Sequence, residues 1–101
     1  MKVYVTQESQ LDYTEALKYG DIVFLTSPGD RLSAVPTSLG NEEITWKIDT
    51  RLKDFTEDDY LLCTGAPAHM AIAGAALGDR LKKMLVWDNR TSSYFPLRIK
   101  S

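Results

Sequence analysis

The chain has 101 residues, 44% of them hydrophobic, with 12 lysines and arginines against 14 aspartates and glutamates. That length predicts a single α/β domain over residues 1–101 with enough apolar material for a real core, and the composition excludes disorder. The net charge of −2 leaves no basic footprint, which argues against nucleic-acid binding, and the lone cysteine, Cys63, excludes an internal disulfide framework.

No apolar stretch long enough for a signal peptide follows Met1 and Lys2, and no window approaches a transmembrane span. The expected location is the cytoplasm, a reducing compartment that suits a free thiol, with no membrane association.

Lys2-Val3-Tyr4-Val5-Thr6 is short and rich in strand formers, so it reads as the first strand. Leu11, Tyr13 and Leu17 can share one side of a short helix over residues 11–19, and Gly20 is a suitable left-handed stop. Asp21–Thr26 is an unbroken apolar run, the pattern of a strand buried on both faces. Residues 27–40 carry Pro28, Gly29, Pro36 and Gly40 and read as the longest irregular connection.

From Asn41 the period changes: Ile44, Ile48, Leu52 and Phe55 fall three or four residues apart, as on one helix face. Asn41 can cap this helix, and Glu42 and Glu43 suit its first turn. Trp46 then lies off the apolar stripe, as a flank of the core or a contact residue. Tyr60–Thr64 is the next buried strand, and Pro67 opens a helix of small residues running to about Arg80. Lys83–Asp88 is a further strand, and Tyr94–Ile99 returns antiparallel to it. Pro96 cannot donate to a ladder, so this last strand belongs at an edge. The whole predicts a small open, mainly parallel sheet with helices packed on it and a C-terminal antiparallel hairpin.

In such sheets ligands bind beyond the carboxyl ends of the strands. Two turns should meet there, Thr26–Arg31 and Thr64–His69. The run from Asp59 to His69 is the most informative in the chain: strand, glycine turn, helix opening on proline. A helix start aims unpaired N–H groups and a positive dipole end outward, which suits a phosphate or a carboxylate. Thr26, Ser27, Gly29, Arg31, Thr64, Gly65, Ala66 and His69 are therefore the candidate ligand-binding residues, with Arg31 the best-placed cation. The turn lacks the repeated glycines of a dinucleotide fingerprint and the lysine of a P-loop, so a plain strand-to-helix turn is the simpler reading.

His69 is the only histidine, and a helix N-terminus disfavours its protonation. One histidine and one cysteine fall short of a metal site, and Cys63 within a strand is better placed as a small core residue than as a nucleophile. No catalytic set emerges, no cofactor is implied, and an enzyme using His69 is the least favoured reading. Trp87, Tyr94 and Phe95 crowd one hairpin, where aromatics serve either as cross-strand core pairs or as interface anchors.

The run Asp59–Leu62, the turn Thr64-Gly65-Ala66-Pro67, the alanine-rich helix, Leu85–Asp88 and Tyr94–Ile99 together resemble small uncharacterised proteins of bacteriophage genomes. The resemblance covers under half the chain and implies an accessory protein made in the host cytoplasm, with no activity to transfer. Two functions are expected in turn: binding of a protein partner, with the chain itself dimeric, or capture of a nucleotide or other anion at the two turns.

Overall fold

The computed structural model describes residues 1–35 and 39–99. Five strands form one sheet: β1 (Lys2–Val5), β2 (Asp21–Phe24), β3 (Tyr60–Leu62), β4 (Lys83–Asp88) and β5 (Ser93–Arg98). Their spatial order is β2-β1-β3-β4-β5, with β1–β2, β1–β3 and β3–β4 parallel and β4–β5 antiparallel. Two α-helices, α1 (Leu39–Arg51) and α2 (Pro67–Leu77), lie on the same face.

That arrangement follows from the apolar pattern. Ile44, Ile48 and Leu52 of the α1 stripe, with Phe55, pack on Tyr4, Leu25 and Leu61, and α2 adds Ala73 and Leu77. The opposite face gathers Val3, Val5, Leu62, Leu85 and Tyr94. Among the described residues no long helix covers it. The segment between β1 and β2 does so instead, with Tyr13, Ala16 and Tyr19 as its apolar contacts. The rings of Tyr13 and Phe24, and of Tyr19 and Tyr60, meet edge-on at 5.2 and 5.4 Å.

The helix expected over residues 11–19 is thus reduced to a 3₁₀ turn at Ala16–Tyr19. The Asp12 carboxylate accepts from the Thr14 N–H and the Ser9 N–H donates to the Tyr13 hydroxyl, so local side chains hold the segment in turns. Asn41 does not cap α1 either. It lies within the helix, and its side-chain amide bonds both the N–H and the carbonyl of Ser33. The irregular connection is shorter than 27–40, since the helix already includes Gly40; Pro36 lies outside the described residues.

The crossover from β1 to β2 runs outward one way over one face. The crossover from β2 to β3 runs the other way over the opposite face. Reversing both direction and face keeps a single hand. The strand order therefore turns around between β1 and β3, and the crossovers leaving these two strands run to opposite faces of the sheet.

Candidate functional site

A threonine directly follows β1 and another stands two residues past each of β2 and β3: Thr6, Thr26 and Thr64. At the point where the order reverses, they lock the rim together. The Thr6 hydroxyl donates to the Thr64 carbonyl (2.6 Å) and accepts from the Thr64 N–H (2.9 Å). The Thr26 hydroxyl donates to the Thr6 carbonyl (2.8 Å) and lies 2.9 Å from His69 Nδ1. That hydroxyl has a single proton, already committed to Thr6. His69 Nδ1 must therefore carry the proton and donate to Thr26, which leaves Nε2 as a bare acceptor.

His69 is 0% exposed, and its Nε2 finds no partner among the described residues. Burial holds the imidazole below its usual range, and the nearby Asp30 charge opposes that only in part. The ring is neutral at neutral pH, as its place at a helix start suggests. It acts as a buried strut between the end of β2 and the first turn of α2.

Gln7 joins the two turns. Its Nε2 donates to the carbonyls of Ser27 and Asp30, each at 3.1 Å, and its Oε1 accepts from the Ala66 N–H at 2.8 Å. The residue-26 and residue-64 turns thus share one rim, with Thr26, Ser27, Thr64, Gly65, Ala66 and His69 gathered around the Gln7 amide. The Gln7 oxygen also occupies one of the N–H groups that the start of α2 would offer an anion. Gly65 has φ +87°, and a Cβ there would sit 2.5 Å from Gln7 Oε1. The close approach and the left-handed backbone both require glycine.

Gly29 and Arg31 stand farther out. Both are exposed, and a Cβ on Gly29 would meet nothing within 4 Å. The Asp30 carboxylate between them turns inward, accepting from the Ser27 N–H (2.8 Å) and from Lys47 Nζ (3.0 Å). These bonds, led by the Ser27 N–H, hold it below the usual carboxylate range. The Thr26–Arg31 turn therefore brings its own anion to the rim, balanced by Lys47 from α1.

A cavity of about 420 Å³ opens beside this rim on the face without helices, lined by Leu11, Asp12, Leu62, Thr64, Trp87 and Tyr94 among others. Its walls are almost wholly apolar. Cys63 also lines it and packs against the core under the helices, and burial pushes its thiol up, away from the reactive thiolate. Among the described residues no group of histidine, cysteine or acidic side chains could hold a metal ion.

The three hairpin aromatics do not share a surface. Trp87 is opposite Tyr94 on the same face, their rings edge-on at 4.9 Å. Tyr94 is buried at 6% exposure, and Trp87, at 43%, remains half open at the mouth of the cavity. Phe95 pairs with Val86 and points to the other face, where it is 44% exposed beside Leu97.

A family model described as Phage Pam3 gp32-like protein matches residues 1–101. The chain belongs to this family. The match takes in the first half of the chain, including Gln7 and Thr26, where the residues carrying the bacteriophage resemblance had no part. No curated protein and no solved structure matches the chain. Membership supports a phage-encoded protein. Among the described residues no helix is long and apolar enough to cross a membrane. Sequence reasoning missed Gln7 and Thr6, the two residues that bind the rim together. The one available signal was the recurrence of threonine after three apolar strands.

Proposed function

We propose that this member of the Phage Pam3 gp32-like family is an accessory protein of the infected cell that acts by binding a protein partner. The partner seats an apolar side chain in the cavity beside Trp87, on the helix-free face of the sheet. One observation carries this reading: an almost wholly apolar cavity of about 420 Å³ with a half-exposed tryptophan at its mouth. Interface anchors are enriched in tryptophan and work by filling such desolvated pockets. Leu11, on the far wall, is also exposed.

The test is affinity capture from phage-infected cells with the wild-type chain and with Trp87→Ala. A discrete partner retained by the wild type and lost with the variant supports the proposal. Capture that is indifferent to Trp87, or a wild-type chain that remains alone, overturns it.

A second reading, a nucleotide or other anion held at Thr64–His69 and Thr26–Arg31, is favoured by the common rim of the two turns. Against it stand the Gln7 oxygen on the Ala66 N–H and the inward Asp30 carboxylate. A ligand present at 100 times its dissociation constant adds about 2.7 kcal/mol of stability. A nucleotide and phosphate panel in thermal denaturation decides it, and no shift with any member removes this reading.

A further inference from the structure

The two helices leave an open groove on their outer side, about 720 Å³ in volume. It lies on the other side of the sheet from the Trp87 cavity. Glu42, Thr45, Trp46 and Asp49 line one wall, spaced three and four residues apart along α1, and Ile72, Ala75 and Ala76 of α2 line the other. Trp46 is 66% exposed, the greatest exposure of any aromatic residue described.

The charge on this groove has one sign. Glu42 and Asp49 form no ion pair among the described residues. Three cations of the two helices and their ends are turned elsewhere. Lys47 reaches Asp30 across the rim, and Arg51 donates to the carbonyls of Phe24 and Leu25. Arg80 donates to the carbonyls of Leu52 and Ala76, tying the C-terminal ends of the two helices together. An apolar floor, an exposed tryptophan and unpaired acids one above and one below it make a surface complementary to a basic amphipathic helix.

We infer that the α1–α2 groove is a docking surface for a basic amphipathic helix of a partner protein, its apolar stripe over Ile72 and Ala76 and its lysines or arginines against Glu42 and Asp49. The small side chains of α2 let the partner's backbone approach closely, and Trp46 closes over its apolar face. This goes beyond the proposal for the Trp87 cavity and uses none of its residues.

The experiment is selection from a displayed library of helix-biased peptides on the immobilised chain. Enriched peptides are then titrated against wild type, Trp46→Ala, the double variant Glu42→Lys/Asp49→Lys, and Trp87→Ala. Enriched peptides should be basic and amphipathic, should lose at least roughly tenfold in affinity on Trp46→Ala and on the double variant, and should hold on Trp87→Ala. Their binding should also weaken as salt is raised. All substituted groove residues are exposed, and unchanged urea midpoints establish that the variants fold. No enrichment, enrichment of acidic or neutral sequences, or binding indifferent to Trp46 and to charge reversal overturns the inference. Loss on Trp87→Ala alone would place helix binding on the other face and overturn it too, while leaving the Trp87 proposal standing.

Discussion

Replacing Gln7 with alanine should unlock the rim. The side chain is buried at 8% exposure and makes three hydrogen bonds, two to carbonyls of the residue-26 turn and one from the Ala66 N–H. A hydrogen bond contributes roughly 1 kcal/mol net, so counting alone gives about 3 kcal/mol. Water can reach the exposed Ser27 and recover part of that. The Ala66 N–H recovers less, since it sits at a half-buried helix start. The expected loss is therefore about 2–3 kcal/mol, a fall of roughly 10–20 °C in Tm for a domain of this size.

Equilibrium urea denaturation measures it, and amide hydrogen exchange assigns it. The Ala66 amide should lose protection in Gln7→Ala and retain it in Gln7→Glu, whose side chain keeps the acceptor. Gln7→Glu should nevertheless be at least as destabilising at pH 7, because it sets a carboxylate oxygen against the Ser27 and Asp30 carbonyls. A Gln7→Ala loss under about 0.5 kcal/mol, or an Ala66 amide equally protected in wild type and Gln7→Ala, would refute the assignment of Gln7 as the tie between the turns.

Three further outcomes follow from the same geometry. Gly65→Ala imposes a left-handed backbone at about 1–3 kcal/mol and drives a methyl into the Gln7 side chain, so its urea midpoint should fall at least as far as that of Gln7→Ala. His69 has its folded pKa held below the ordinary 6.5, so its contribution is fully present above that pH. As pH falls through 6.5 the unfolded chain takes up a proton that the folded chain refuses, and stability should drop by up to about 1.4 kcal/mol per pH unit. The shifted carboxylates Asp12 and Asp30 lie below 3.8, so a wild-type stability that stays flat between pH 6.5 and 5 would contradict the neutral buried strut. Pro96→Val should restore an outward N–H on β5 and produce concentration-dependent association in sedimentation velocity; a variant as monodisperse as wild type would show that Pro96 does not guard the edge.

Pro96 marks what the sequence discloses and Gln7 what it does not. The Ile99 N–H donates to the Lys82 carbonyl, which places Phe95 and Leu97 in hydrogen-bonded pairs with β4 and turns the backbone of Tyr94, Pro96 and Arg98 outward. That edge position was legible, because proline permits no other. Strand β3 was equally legible from its unbroken apolar run, and α1 from the spacing of Ile44, Ile48 and Leu52. The like run of β2, expected to be buried on both faces, lies at the other edge of the sheet, with Asp21 exposed and Ile22, Val23 and Phe24 only partly buried. The segment over residues 11–19 was not legible. Leu11, Tyr13 and Leu17 can share one side of a helix, but Leu11 and Leu17 are left exposed and Tyr13, with Tyr19, is spent on covering the sheet. Gln7 was invisible for a different reason. A glutamine after a strand carries no local signature, and its acceptor bond spans 59 residues of chain.

Both long helices lie on one face because the connection from β1 to β2, which crosses the other face, is held in turns. Those strands are neighbours, so the fifteen-odd residues between them need only fold back across one strand, and bulky aromatics suffice as cover. They cover it incompletely. The 3₁₀ turn and its flanks pack over β1, β2 and β3, and Tyr19 reaches the Tyr94 carbonyl by its hydroxyl (3.1 Å), but Trp87 stays half open. On the other face, α1 and α2 bury the sheet well and turn their outer sides to solvent, acidic on α1 and small on α2. One connection held in turns instead of a full helix therefore leaves an apolar cavity on one side of the sheet, and two helices packed on the other side leave an acidic groove. The rim between them is locked by Thr6, Gln7, Thr26 and His69, so the two surfaces are held on a common rigid edge. Occupation of one face should thus leave the other free, and the Trp46 and Trp87 substitutions should act independently in a double-mutant cycle. A coupling energy well above about 0.5 kcal/mol would mean that the rim transmits strain between the faces instead of isolating them.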